Sequence, residues 1–136
     1  ILAAMNRILV ADFATEEETL DTIKAVFEKT GYTLDTHTAV GLKVYEKYKA
    51  RTKDSTRTVL DATASPYKFN ASVLEAIESP AAVGGKDEFQ ILRELEKITG
   101  KPIHPALSDL EKKPVLHDRV CEKNMIQREV KDILGL

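Results

Sequence analysis

Residues 58–64, Thr-Val-Leu-Asp-Ala-Thr-Ala, carry the one convincing strand pattern in this chain. A lone strand cannot satisfy its own backbone edges, so it must pair with something. Either a weaker strand near Ile8 or Tyr32 joins it, or its neighbours belong to sequence outside these residues. Ile8-Leu9-Val10-Ala11 is an apolar run too short to assign by periodicity. An unpaired strand is a physical sign of a fragment. The start at Ile1 in place of methionine points the same way, although removal of a tag would look identical.

Around that strand the sequence writes helices. Thr15 and Glu18 have capping-box spacing, and Glu16 to Glu18 put negative charge where the helix dipole favours it. Leu20, Ile23 and Phe27 share a face before Gly31 supplies a left-handed stop. A second helix is predicted over 39–49, with Val40, Val44 and Tyr48 at i, i+4 and i+8; residues 49–57 read as a solvated loop. Asn70 stands where it can cap a short helix that ends before Pro80, and Phe69 with Leu74 has the spacing of a hydrophobic staple. Residues 87–99 form another amphipathic helix carrying Ile91, Leu95 and Ile98, stopped at Gly100. Pro102, Pro105 and Pro114 break the next stretch into turns, with one helical turn at 106–110. The last helix covers 122–134, with Ile126, Val130 and Ile133 expected to face inward and Gly135 as its stop. The expected fold class is α/β, predominantly helical: four or five helices around one or two short strands, in a single domain over 1–136.

Charge narrows the function. Lys and Arg total 20 against 22 Asp and Glu, so no concentrated basic face is available for nucleic acid or an anionic membrane. No apolar run approaches the roughly 20 residues that cross a bilayer. The single cysteine, Cys121, fits a reducing, cytoplasmic compartment and cannot build a thiolate cluster. His37, His104 and His117 are too widely spaced for a metal-ligand pattern, so no metal site is expected. Phosphate-binding glycine loops, a nucleophile elbow and a zinc-protease helix are all missing from the sequence.

Two segments place polar groups at the ends of apolar elements. In 35–41, Asp-Thr-His-Thr-Ala-Val-Gly, polar residues precede a helix, whose first amides favour an anion. The plainer reading has Asp35 or Thr38 as the helix cap and His37 bonded to a nearby carbonyl. In 61–69, Asp-Ala-Thr-Ala-Ser-Pro-Tyr-Lys-Phe, a strand ends in small and hydroxyl residues before a helix starts. Ligands of open α/β sheets sit beyond such strand ends. The plainer reading is a tight turn in which Thr63 bonds the backbone and Lys68 is solvated. Spacing leaves both pairs of readings open.

These two segments also carry a resemblance. GYTLDTHTAVGLKVYEKY at 31–48 resembles the G-Y-x-x-D-x-H-T-A-V stretch of the threonine synthase family, and TASPYKFNASVLEAI at 63–77 resembles its T-A-x-P-x-K-F motif and following helix. The acidic helix before the first motif and HDRVCEKNMIQREVKDIL near the C-terminus are similar too, so the likeness runs from about Thr15 to Leu134. Thr36 and Asn70 stand where relatives commonly have proline.

The resemblance implies the C-terminal part of a fold-type II pyridoxal-phosphate enzyme that turns O-phosphohomoserine and water into threonine and phosphate. It implies that Thr63 hydrogen-bonds the cofactor's pyridine nitrogen, with small Ala62 and Ala64 beside it, and that His37, Thr38 and Ser65 form active-site wall. The lysine that carries the cofactor and the glycine-rich phosphate cradle lie upstream in the family, and Lys68 is not that lysine. This chain is therefore expected to be catalytically silent alone and to need the remainder of the enzyme as its partner. The competing reading is a stand-alone helical interaction module that grips a partner helix with Leu20, Ile23 and Phe27. Thr63 separates the two: in the enzyme it faces a cofactor-sized cavity, in the module it is buried against backbone or bland surface.

Overall fold

The computed structural model describes Met5 and residues 8–136. Among the described residues there are six α-helices and no strand: α1 (Glu16–Thr30), α2 (Thr36–Thr52), α3 (Asn70–Ile77), α4 (Glu88–Thr99), α5 (Pro105–Ser108) and α6 (Ile126–Leu134). The predominantly helical expectation holds, and the strand expectation does not. Residues 58–63 are irregular, with Val59 84% exposed, and Ile8 to Ala11 form no ladder either. The physical reason is the one the sequence poses. A strand needs a neighbour's hydrogen bonds, and no described segment supplies one.

The chain falls into two compact units, Ile1–Pro105 and Ala106–Leu136. In the first, α1 begins as its sequence dictates. The Thr15 hydroxyl accepts from the Glu18 amide at 3.2 Å, the Glu18 carboxylate accepts from the Thr15 amide at 2.9 Å, and Gly31 closes the helix at φ 70°. Glu18 also receives the Lys47 ammonium at 2.7 Å, which holds its carboxyl below the ordinary value and ties α1 to α2. On the inner face Thr19 and Thr22 are buried, and each donates its hydroxyl to the carbonyl four residues earlier, which removes the penalty of an unpaired polar group. α4 opens on a second capping box, Asp87 with Gln90, and ends at Gly100 with φ 65°. Gln90 stands three residues after Asp87, a spacing that local sequence alone announces.

α3 is the hub, packed on α1 on one side and α4 on the other. Ile23, Val73, Leu74 and Leu95 are fully buried there, joined by Ile91 and Leu92. Each such side chain contributes about 1.5–3 kcal/mol of burial, and together they hold three helices whose propensities alone would not. Asn70 does not cap α3 as expected. It is the first residue of the helix, its amide nitrogen donates to the Glu88 carbonyl at 2.9 Å, and the turn is capped earlier. Ser65 accepts from the Tyr67 amide at 3.3 Å and starts a 3-10 turn, Pro66–Phe69, that leads directly into α3.

α2 runs longer than predicted and closes on a polar knot. Asp54 accepts from the Tyr48 hydroxyl at 2.8 Å and the Thr56 amide at 2.9 Å. Bonds from Thr56, first its hydroxyl and then its amide, followed by that from Tyr48, hold the Asp54 carboxyl at about 2, against an ordinary 3.8. The same pairing raises the Tyr48 hydroxyl. A carboxyl depressed on folding adds stability above its unfolded value, and that stability is lost as pH falls through the folded one. Asp54→Asn is therefore expected to flatten the loss of stability between pH 3.8 and about 2, read from urea midpoints across that window.

In the second unit, α6 ends at Gly135 with φ 69°, and Arg119 and Glu129 pair at 3.4 Å. The inward face expected for α6 is not inward: Ile126, Val130 and Ile133 are all about half exposed or more. Residues 106–136 contain no buried side chain to pack against it. The amphipathic pattern of the helix is real, and nothing among the described residues covers its apolar face.

Candidate functional site

The first motif is built around a buried carboxylate. Asp35 sits at φ −79° and ψ 164°, outside the helix it caps, and is 2% exposed. Its Oδ1 accepts from the His37 amide at 2.9 Å and the Thr38 amide at 3.2 Å, while the Thr38 hydroxyl donates to Oδ2. Three donors thus converge on one buried carboxyl group at the amide end of α2. Between the two caps left open by spacing, the structure selects Asp35. Thr38 is buried, with its hydroxyl committed to that carboxylate.

His37 takes another course. Its side chain is 68% exposed, its Nδ1 lies 3.6 Å from Asp35 Oδ1, and its ring rests on Phe69 with centroids 4.9 Å apart at 57°. Phe69 is the last residue of the second motif, so this tilted ring pair joins the two motifs in space. Beside it lies a cavity of about 410 Å³ lined by His37, Val40, Phe69 and Ser72 from one side and by Thr19 and Leu20 of α1 from the other.

The second motif is anchored by Tyr67. This ring is buried, and its hydroxyl donates to the Lys101 carbonyl and lies 3.0 Å from Thr99 Oγ1. It fastens the turn after Ser65 to the end of α4. Ser65 opens onto a second cavity, of about 570 Å³, on the Tyr67 side of the turn. Thr63 is exposed in the irregular segment and lines neither cavity; Lys68 is exposed as well. Of the residues predicted from sequence, His37 and Thr38 meet at Asp35, Ser65 stands apart from them, and Thr63 faces solvent. The structural weight of Asp35, Phe69 and Tyr67 was only partly visible. Asp35 was readable as a cap, while the reach of Tyr67 to Thr99 spans a sequence separation that no local pattern encodes.

Among the described residues no three His, Cys, Asp or Glu side chains converge as metal ligands, and no helix is long and apolar enough to cross a membrane.

The ring pair of His37 and Phe69 thus joins the two sequence motifs in space, while the strand-like segment between them forms no ladder among the described residues. Comparison with known proteins identifies the family: the one described as Threonine synthase, C-terminal, matches residues 38–132, well over half of the chain, and the chain belongs to it. That span includes Thr38, Thr63 and Ser65 and begins just after His37. The chain is 36% identical over 80 residues to a threonine synthase of Schizosaccharomyces pombe, covering 58% of this chain and 16% of that protein. It is 41% identical over 58 residues to a threonine synthase of Methylobacillus glycogenes, covering 43% of this chain and 12% of that one. A human protein, threonine synthase-like 1, aligns over 96% of this chain at 22% identity and 15% of its own length. The chain thus spans about one-sixth or less of the curated relatives it matches.

Proposed function

We propose that this chain completes the active site of a threonine synthase, a lyase that converts O-phosphohomoserine and water to threonine and phosphate in threonine biosynthesis, and that the rest of that enzyme is its partner. The observation that carries the proposal is residues 58–64. They have strand composition and end in Ala-Thr-Ala; residues 58–63 lie exposed, and none of 58–64 pairs in a ladder among the described residues. A segment of that kind suits a sheet supplied by the remainder of the enzyme, in the fold-type II manner, and pairing would bring Thr63 to a strand end.

The donor set of this chain fits one part of a pyridoxal phosphate site. Thr63 offers a neutral hydroxyl between two alanines, small enough for a planar ring to approach, and no described group holds that hydroxyl. A neutral partner suits a ring nitrogen that stays largely uncharged. When bound, the cofactor supplies the electron sink for γ-elimination and β-addition of water. His37, its ring steadied by Phe69, and Ser65 form wall, while Asp35 and Thr38 fix the turn that presents His37. Neither the cofactor-carrying lysine nor a phosphate cradle is contributed by these residues, and the compartment we assign is the cytoplasm.

Thr63, exposed and lining neither cavity, meets neither of the two expectations set for it. What goes against the interaction module is Ile23, the centre of the face it would use, which is fully buried in the α1–α3 contact. The proposal is tested by assaying phosphate release from O-phosphohomoserine with added pyridoxal phosphate. The 136-residue chain alone is expected to release none above background, whereas the intact protein turns over. Turnover by the short chain, or none by the intact protein, would overturn it.

A further inference from the structure

The 570 Å³ cavity beside Ser65 falls within the size range of small-molecule sites, and it does not include Thr63. Its walls are mainly apolar and stiff. Tyr32, Pro66, Pro102 and Ile103 face it, and Tyr67 is locked beneath by its bonds to Thr99 and Lys101. Proline rings fix the backbone on both sides, so little order has to be gained on binding.

The polar complement is sparse: Thr33, Ser65, Thr99, Lys101 and His104 stand in an otherwise apolar and aromatic lining. Lys101 lies at the cavity with its ammonium held by no acceptor among the described residues. The Ser65 oxygen accepts from the Tyr67 amide, which leaves its proton available. Thr33 is also in the lining, but its side-chain oxygen, which has no hydrogen-bond partner among the described residues, is sealed from solvent and is not presented to the cavity. An apolar, aromatic-walled cavity with one lysine, an imidazole and hydroxyl groups at its edge suits an apolar body bearing one negative charge. A phosphate dianion would ask for more, a cluster of amides or several cations, and the cavity has neither.

We infer that this cavity binds a small carboxylate with an aromatic or branched aliphatic body, its ring or alkyl group between Tyr32 and the proline walls and its carboxylate at Lys101. The cavity does not include Thr63, but it shares Ser65 with the active-site wall proposed above and so lies beside that site.

The probe is 3-phenylpropionate, titrated into the isotope-labelled chain and followed by amide chemical shifts. Saturable shifts are expected at Thr33, Ser65, Tyr67 and Ile103. Affinity should weaken about fivefold for Lys101→Met, and equally for the neutral analogue 3-phenylpropanol, as expected for one partly solvated ion pair. Ile103→Trp, which fills the cavity, should abolish the shifts while leaving the helical circular dichroism unchanged. Unsaturable shifts, shifts centred outside these residues, or equal affinity for acid and alcohol would overturn the inference. So would loss of binding in the intact protein, which would mean that another part of the chain fills the cavity.

Discussion

Leu74→Ala is expected to cost about 3 kcal/mol of unfolding free energy. Leu74 is fully buried at the centre of α3, between α1 and α4, and α3 is only eight residues long. So short a helix has no independent stability, and its place is held by the side chains that anchor it. Removing three carbons loses transfer energy and opens a cavity that Ile23 and Leu95, themselves fully buried, cannot collapse into without disturbing both flanking helices. The urea midpoint should fall with its slope retained. A loss below about 1 kcal/mol would mean that α3 is not the hub described here.

The second large effect is at Asp35. Asp35→Ala takes the acceptor from two amides and from the Thr38 hydroxyl, in a place where water has little access. Loss of a cap costs about 1 kcal/mol, and unsatisfied buried donors add about 1–3 kcal/mol, so a total of about 2–4 kcal/mol is expected. Asp35→Asn keeps one acceptor oxygen and should fall between wild type and alanine. The double variant Asp35→Ala with Thr38→Val should recover part of the loss, because the stranded hydroxyl is removed together with its partner. Strict additivity of the two substitutions would contradict the coupled network.

Where the sequence carries its own local signal, the fold was readable. The Thr15–Glu18 box and Gly31 delimit α1, and the Ile91-Leu95 stripe with Gly100 delimits α4. The reading failed where an element needs something beyond itself. Residues 58–64 have the composition of a strand and α6 has an amphipathic pattern, yet pattern states what a segment can bury, and burial requires a counterpart. Val59 and Ile133 are exposed for the same reason. At Asn70 the error was of another kind: a good capping residue was displaced from the cap position by Ser65, which starts a 3-10 turn that local spacing does not announce. In the candidate site, Asp35 as cap was within reach of sequence reasoning. The ring contact of His37 with Phe69 was not, since it joins residues brought together only by the packing of α2 against the turn before α3.

We propose that this chain contributes Thr63 to a cofactor site completed by the rest of a threonine synthase. The most direct measurement is kcat/KM for phosphate release from O-phosphohomoserine by the intact protein, compared for wild type, Thr63→Ser and Thr63→Ala, with cofactor absorbance recorded for each. Serine keeps the hydroxyl and should remain near wild type. Alanine removes one hydrogen bond made in the catalytic cycle and should lose about tenfold or more, with a displaced absorbance band. Equal activity and equal spectra for alanine and wild type would contradict the claim.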